Sequence, residues 1–147
     1  MALLFGLSGE IRERAGSTRF SELGGLAQKT PILAFLFILA GLASLGMPGL
    51  GNFSGEILIF FGAWTQYSVV TLMAVWGIVI SAVYVLRAVG RIFFGEIPAH
   101  LRETADIVKW AQRWPFVLLA LSLLIIGFYP QCLTVYIKPA VLSLLGL

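Results

Sequence analysis

Between Thr30 and Leu86 the chain carries one charged residue, Glu56, and that acid directly follows a helix-breaking run, Gly46-Met47-Pro48-Gly49-Leu50-Gly51-Asn52-Phe53-Ser54-Gly55. The uncharged stretch is far longer than the roughly 20 apolar residues that cross a hydrocarbon core. It must therefore be laid out as more than one crossing segment. At membrane depth an ionisable side chain is costly unless it faces a partner or a hydrated cavity, and irregular backbone persists only where its freed groups are satisfied internally. The acid and the break together mark a candidate site: Glu56 as the titrating group, with Pro48, Gly49, Gly51 and Gly55 interrupting the helix.

Composition sets the class. With 59% hydrophobic and 12% charged residues, the chain lies far from the roughly 45–50% apolar and about 25% charged of soluble domains. It reads as an all-α integral membrane protein. In such a chain the net charge of +3 reports topology, and no basic, aromatic-interleaved face calls for nucleic acid. A single cysteine, Cys132, excludes an internal disulfide, an iron–sulfur cluster held by this chain alone and a cysteine-based zinc site. No cofactor is expected in the chain, and any redox centre nearby belongs to partners. The start, Met1 to Leu7, lacks the positive region of a signal peptide and reads as the end of a helix, a partial span over residues 1–11.

Apart from Lys138, the remaining charges form two clusters, Glu10 to Lys29 and Arg87 to Arg113. Three crossings between them would put the clusters on opposite sides of the membrane. Two crossings, a broken span over 31–64 and a second over 69–94, put both on one face. The turn Thr65-Gln66-Tyr67-Ser68 carries no charge, so only the second layout obeys the rule that Lys and Arg gather on the cytoplasmic side. Length agrees, since Ser54 to Trp64 is too short to cross about 30 Å at 1.5 Å per residue. A last span over 114–137 follows, with Trp110, Trp114, Tyr129 and Tyr136 near its interfaces and Lys138-Pro139 closing it. Residues 1–147 thus form a single transmembrane region, with the charged loops 12–30 and 87–113 cytoplasmic.

On this layout the first half-helix runs from Pro31 to about Leu45, a flexible linker follows, and a second half-helix opens near Ser54, capped by Asn52 or Ser54, with Glu56 in its first turn. A helix N-terminus favours a carboxylate while burial favours the neutral acid, a balance suited to loading and releasing protons. The plainer alternative is a capping acid at a hairpin facing interfacial water. Lys29, Arg87 and Arg91 are secondary candidates; the two arginines, one turn apart at a span's end, read chiefly as interface anchors. His100 lies alone in a charged loop, and Cys132 reads as packing. Leu101, Ile107 and Val108 on one side, with Arg102 and Asp106 as an i,i+4 pair, suggest a short surface helix.

The run from Leu42 to Glu56 closely resembles the signature of the antiporter-like, proton-pumping membrane subunits of NADH-quinone oxidoreductase, in their chain M form. Three further motifs match in order: Leu23-Gly24-Gly25-Leu26 with Lys29; Ser81 to Arg87 with Arg91 and Phe93-Phe94-Gly95; and Gly127-Phe128-Tyr129-Pro130-Gln131. The resemblance covers essentially the whole chain. It implies half of an inverted-repeat bundle, about three transmembrane helices plus a truncated N-terminal one, the first full helix being broken at Gly46–Gly55. By position Glu56 matches the acid on the second broken helix, where chains L and N and the Mrp-type antiporter subunits typically carry Lys.

The resemblance implies that this chain contributes the terminal part of a proton channel to NADH:quinone oxidoreductase in the cell inner (plasma) membrane, with no redox catalysis in the chain itself. FMN, iron–sulfur clusters and quinone are expected on partner subunits, with chains L and N and the lipid bilayer as neighbours. The related alternatives are a membrane subunit of a hydrogenase or of an Mrp-type cation/proton antiporter, and a non-pumping truncated fragment. The chain is about a third of the family's usual length and lacks the first repeat, so it is expected to be the C-terminal portion of a chain M protein.

Overall fold

The computed structural model describes residues 1–104, 106 and 110–145. Among these it is all-helical: α1 (Ala2–Ala15), α2 (Pro31–Ser44), α3 (Gly51–Gln66), α4 (Ser68–Phe93), α5 (Trp110–Phe128) and α6 (Gln131–Leu145), with 3-10 turns at Leu26–Gln28 and Ala99–Leu101. The central helix is α2, which packs against α1, α3, α4 and α5, while α3 lies between α4 and α5. Pro31 opens α2, where a missing N–H costs nothing and φ is already helical. Buried Leu3, Leu7, Ile11 and Ala15 recur every four residues on α1 and seat that helix on the bundle.

Most of the apolar core gathers at one end. Buried Leu33, Leu36 and Phe37 of α2 meet Val89, Ile92 and Phe93 of α4, and Leu23, Leu26 and Leu101 close over them from the loops. The two charged loops are tied together across this core. The Gly25 N–H donates to the Phe94 carbonyl at 3.2 Å, and a methyl group at Gly24 or Gly25 would come within 2.8 Å of the Glu96 or Gly95 carbonyl oxygen respectively. Arg14, bonded through Nε to Glu10 Oε2 at 3.0 Å, also donates to the Asp106 carbonyl at 3.1 Å. Both charge clusters therefore sit at one end of the bundle. The 26 residues of α4 span about 39 Å at 1.5 Å per residue and end at this loop layer. Because α3 turns into α4 through Tyr67 alone, α2 and α3 together travel the distance over which α4 returns.

The helix start at Pro31 has an unexpected cap. Thr30 is buried and turns its hydroxyl back to the Leu26 carbonyl at 2.9 Å. The first-turn N–H groups of Ile32 and Leu33, which have no partner within the helix, donate instead to the Asp106 carboxylate, at 2.8 and 3.4 Å. This corrects the reading of Asp106 as one half of an Arg102 pair on a surface helix: the described part of that loop forms only the Ala99–Leu101 turn, and Ile107, Val108 and Lys109 lie outside the described residues. Asp106→Ala is expected to lower stability by about 1–2 kcal/mol, the usual cost of losing a cap. Asp106→Asn, which keeps an acceptor oxygen, should lose less; thermal unfolding in detergent micelles checks both.

Helix boundaries depart from expectation in three more places. The N-terminal helix extends to Ala15, beyond residue 11. The turn at 65–68 shrinks to Tyr67, because Thr65 and Gln66 continue α3 and Ser68 starts α4. The stretch 114–137 is not one straight helix: α5 ends at Phe128 and α6 leaves at 69°. Pro130 supplies the reason, since it disfavours helical backbone at Tyr129 and offers no N–H. Lys138 and Pro139 lie within α6 instead of closing a span.

Among the described residues one helix, α4, is by itself long and apolar enough to cross a membrane, and the bent α5–α6 pair passes the same test jointly. Much of α4 faces outward, with Val70, Met73, Trp76, Ile80 and Val83 well exposed. Apolar exposure on this scale suits lipid or neighbouring transmembrane helices.

Candidate functional site

The break between α2 and α3 spans residues 45–50 and consists of two closed hydrogen-bonded turns. At its first turn the Gly46 N–H donates to the Ala43 carbonyl and the Met47 N–H to the Leu42 carbonyl, each at 3.2 Å. Gly46 has φ +67°. This is a Schellman closure with glycine in its left-handed position and a proline shortly after. The second turn is Met47-Pro48-Gly49-Leu50, closed by the Leu50 N–H on the Met47 carbonyl at 3.1 Å. Proline second and glycine third, the latter with φ +88°, is the type II pattern. Leu50 is then extended and opens α3, its carbonyl accepting from the Phe53 N–H at 3.1 Å.

Two expectations change as a result. The interruption is shorter than Gly46–Gly55, and it is not a flexible linker: Pro48 and Gly49 form the turn, whereas Gly51 and Gly55 belong to α3. No side chain caps α3, so neither Asn52 nor Ser54 plays that part, and no acid stands in its first turn. Glu56 sits in the second turn, where a dipole effect confined to the first turn has faded. Helical side chains lean back over the preceding turn, and this brings the half-buried Glu56 onto the break itself. Its carboxyl lies against Gly46, where a methyl group would overlap Oε2 and approach Cδ to 2.9 Å. The capping-acid reading loses its basis.

The other side of the break is held by the end of α5. A methyl group on Gly127 would overlap the Gly49 carbonyl oxygen and fall 2.6 Å from Leu50 Cα. One at Gly51 would come to 3.4 Å from both Ile126 Cγ2 and the Leu123 carbonyl oxygen. Gly127 thus lets backbone meet backbone, while Gly51 lies in ordinary contact with α5. In the sequence Gly127 is legible only as part of a motif; the available signal is a glycine inside an apolar helix, which costs about 1 kcal/mol unless packing demands it.

The secondary candidates lie elsewhere. Lys29 is exposed at the loop end where α2 begins, and Arg87 and Arg91 are exposed near the end of α4 at the same loop layer. The 14 residues of α2, about 21 Å at 1.5 Å per residue, separate that layer from the break. The structure brings Glu56, Gly46, Pro48, Gly49 and Gly51 together and keeps the three cations apart from them. Arg87 and Arg91 share a surface groove with Phe20, Tyr84 and Ala88. His100 and Cys132 are both exposed.

A broken helix with a carboxyl folded onto the interruption, held by a glycine contact from a neighbouring helix, can be compared with known proteins. Residues 1–81 match the family model described as NADH:quinone oxidoreductase/Mrp antiporter, TM. The chain belongs to this transmembrane family.

Among relatives of this family member, NADH-quinone oxidoreductase subunit M of Escherichia coli strain K12 is 34% identical over 129 residues, covering 87% of this chain and 25% of that protein. The Pseudomonas aeruginosa subunit M is 37% identical over 130 residues, covering 88% and 25%. F(420)H(2) dehydrogenase subunit M of Methanosarcina mazei is 35% identical over 131 residues, covering 89% and 26%. Among solved structures, a chain of respiratory complex I from Thermus thermophilus with bound NADH matches with a TM-score of 0.79 and 33% identity, over 87% of this chain and 27% of that one. The chain spans about a quarter of the length of these relatives, less than the third expected from the resemblance.

Proposed function

We propose that the chain contributes the terminal part of a proton-translocation channel to a membrane-bound NADH-quinone oxidoreductase, with Glu56 carrying the proton. The observation that carries this reading is the half-buried Glu56 carboxyl lying on a helix interruption, within a segment that has no other charge from Thr30 to Leu86. An acid in such a place is retained for proton traffic more readily than for stability. Similarity to subunit M proteins supports the same assignment. Three crossings fit the helices, namely α2 with α3, α4, and α5 with the start of α6. The charged loops 12–30 and 87–113 then face the cytoplasm across the inner membrane.

FMN, iron–sulfur clusters and quinone belong on partner subunits in this reading, with chains L and N as membrane neighbours. A second reading keeps the proton path and changes the electron donor, and it is favoured by the similarity to an F(420)H(2) dehydrogenase subunit. Both assign Glu56 the same work.

Glu56→Gln is the test. An amide has nearly the same shape and cannot carry the proton. Proton transfer through this path is expected to slow by roughly 100-fold or more, the scale on which a positioned acid–base group acts. Protons moved per NADH oxidised should fall in membrane vesicles, while quinone reduction by detergent-solubilised enzyme stays near the parental rate. Equal coupling ratios in mutant and parent vesicles would refute the relay.

A further inference from the structure

We propose that Gly46 is a positioning residue for Glu56: the absence of a side chain at Gly46 is what lets the carboxyl lie across the break. The role assigned to this contact rests on the relay reading of Glu56, whereas the contact itself does not. A left-handed position after a helix needs glycine or asparagine on conformational grounds alone. Gly46 meets a second demand, because a methyl group there would overlap Glu56 Oε2 and stand 2.9 Å from Cδ and 3.4 Å from Oε1. Gly49, three residues on and also left-handed at φ +88°, meets only the first: a methyl group there would find Phe128 Cζ at 3.6 Å, an ordinary contact.

The seat joins the two halves of the interrupted helix. Glu56 belongs to α3 and Gly46 to the closure of α2, so a proton held on this carboxyl rests at the junction. With alanine at position 46 the carboxyl must move off this seat, and as the end of a flexible side chain it can do so.

The test times modification of position 56 by dicyclohexylcarbodiimide, an apolar reagent for protonated carboxyls in membranes. It is followed by mass spectrometry on the full chain in the membranes in which it is made. Gly46→Ala is expected to raise the rate by roughly three- to tenfold, the population change that a displaced rotamer produces. Gly16→Ala, at another left-handed helix C-cap with φ +71° and no neighbour within 4 Å of an added methyl group, should keep the parental rate. Adding Gly46→Ala to Glu56→Asp, whose side chain is one methylene shorter, should change nothing further, and that non-additivity is the mark of a direct contact. A parental rate in Gly46→Ala, or equal changes in Gly46→Ala and Gly16→Ala, would overturn the proposal. Altered modification with parental proton coupling would keep the seat and reject the relay reading of Glu56.

Discussion

Gly127→Ala is expected to pull the end of α5 away from the helix break. The added methyl group would meet the Gly49 carbonyl oxygen and stand 2.6 Å from Leu50 Cα, and both obstacles are backbone. A side chain in the way can change rotamer; a backbone closed by two hydrogen-bonded turns has little freedom to move. Overpacking against side chains costs about 1–3 kcal/mol, and here the loss should reach about 3 kcal/mol or more. Thermal unfolding of the chain in detergent, together with the yield of folded protein, measures it. Gly77→Ala on α4 is the control, since a methyl group there has no neighbour within 4 Å and alanine favours a helix over glycine by about 0.5–1 kcal/mol. Equal stability of the two variants would mean that α5 does not approach the break as closely as described. If Glu56 relays protons as proposed, any folded Gly127→Ala protein should also couple protons less well, since α5 buttresses the break that Glu56 lies on.

Phe93→Ala should be the most damaging single truncation in the loop-end core. Phe93 is 1% exposed and packs on Phe37 with ring centroids 5.3 Å apart and planes tilted by 55°. Removing a buried phenylalanine side chain costs about 3–5 kcal/mol through lost burial and the cavity left behind. Its neighbour gives the contrast. Phe94 is 58% exposed, and what it gives the fold is its backbone carbonyl, bonded to the Gly25 N–H, which Phe94→Ala retains. That variant should stay within about 0.5 kcal/mol of the parent, as surface substitutions usually do. Because Leu23, Leu26 and Leu101 close over the same core, Phe93→Ala should also release the loops, seen as faster trypsin cleavage between Arg12 and Lys29. Similar losses for the two variants would contradict the packing.

Much of the site is legible in the amino-acid sequence, because its signals are local. Pro and Gly at fixed offsets announce a helix stop, and a lone acid among apolar residues announces itself. Sequence and fold part company where several local signals compete. Gly51, Asn52, Ser54 and Gly55 each read as breakers or caps, which makes the interruption look too long and sets Glu56 too close to the helix start. In the fold an extended Leu50 opens α3, and Gly51 is already inside that helix, packed against α5. The same limit explains Asp106, whose neighbours in the chain suggest a pairing with Arg102. Its partners, Ile32 and Leu33, are distant in sequence and donate through backbone N–H groups, which every residue except proline carries and no pattern can single out.

By itself the sequence determined that this is a helical membrane chain, that its helix is interrupted near Pro48, and that one acid is stranded beside the interruption. Those properties follow from hydrophobicity, proline's missing N–H and the cost of charge in an apolar segment, all set residue by residue. Only the tertiary structure decided which groups meet. It laid the Glu56 carboxyl on Gly46, the end of α5 on Gly49 and Leu50, and the two charged loops on one another at a single end of the bundle. Such meetings depend on close packing between segments far apart in the chain. At that range a single methyl group decides whether two backbones can touch.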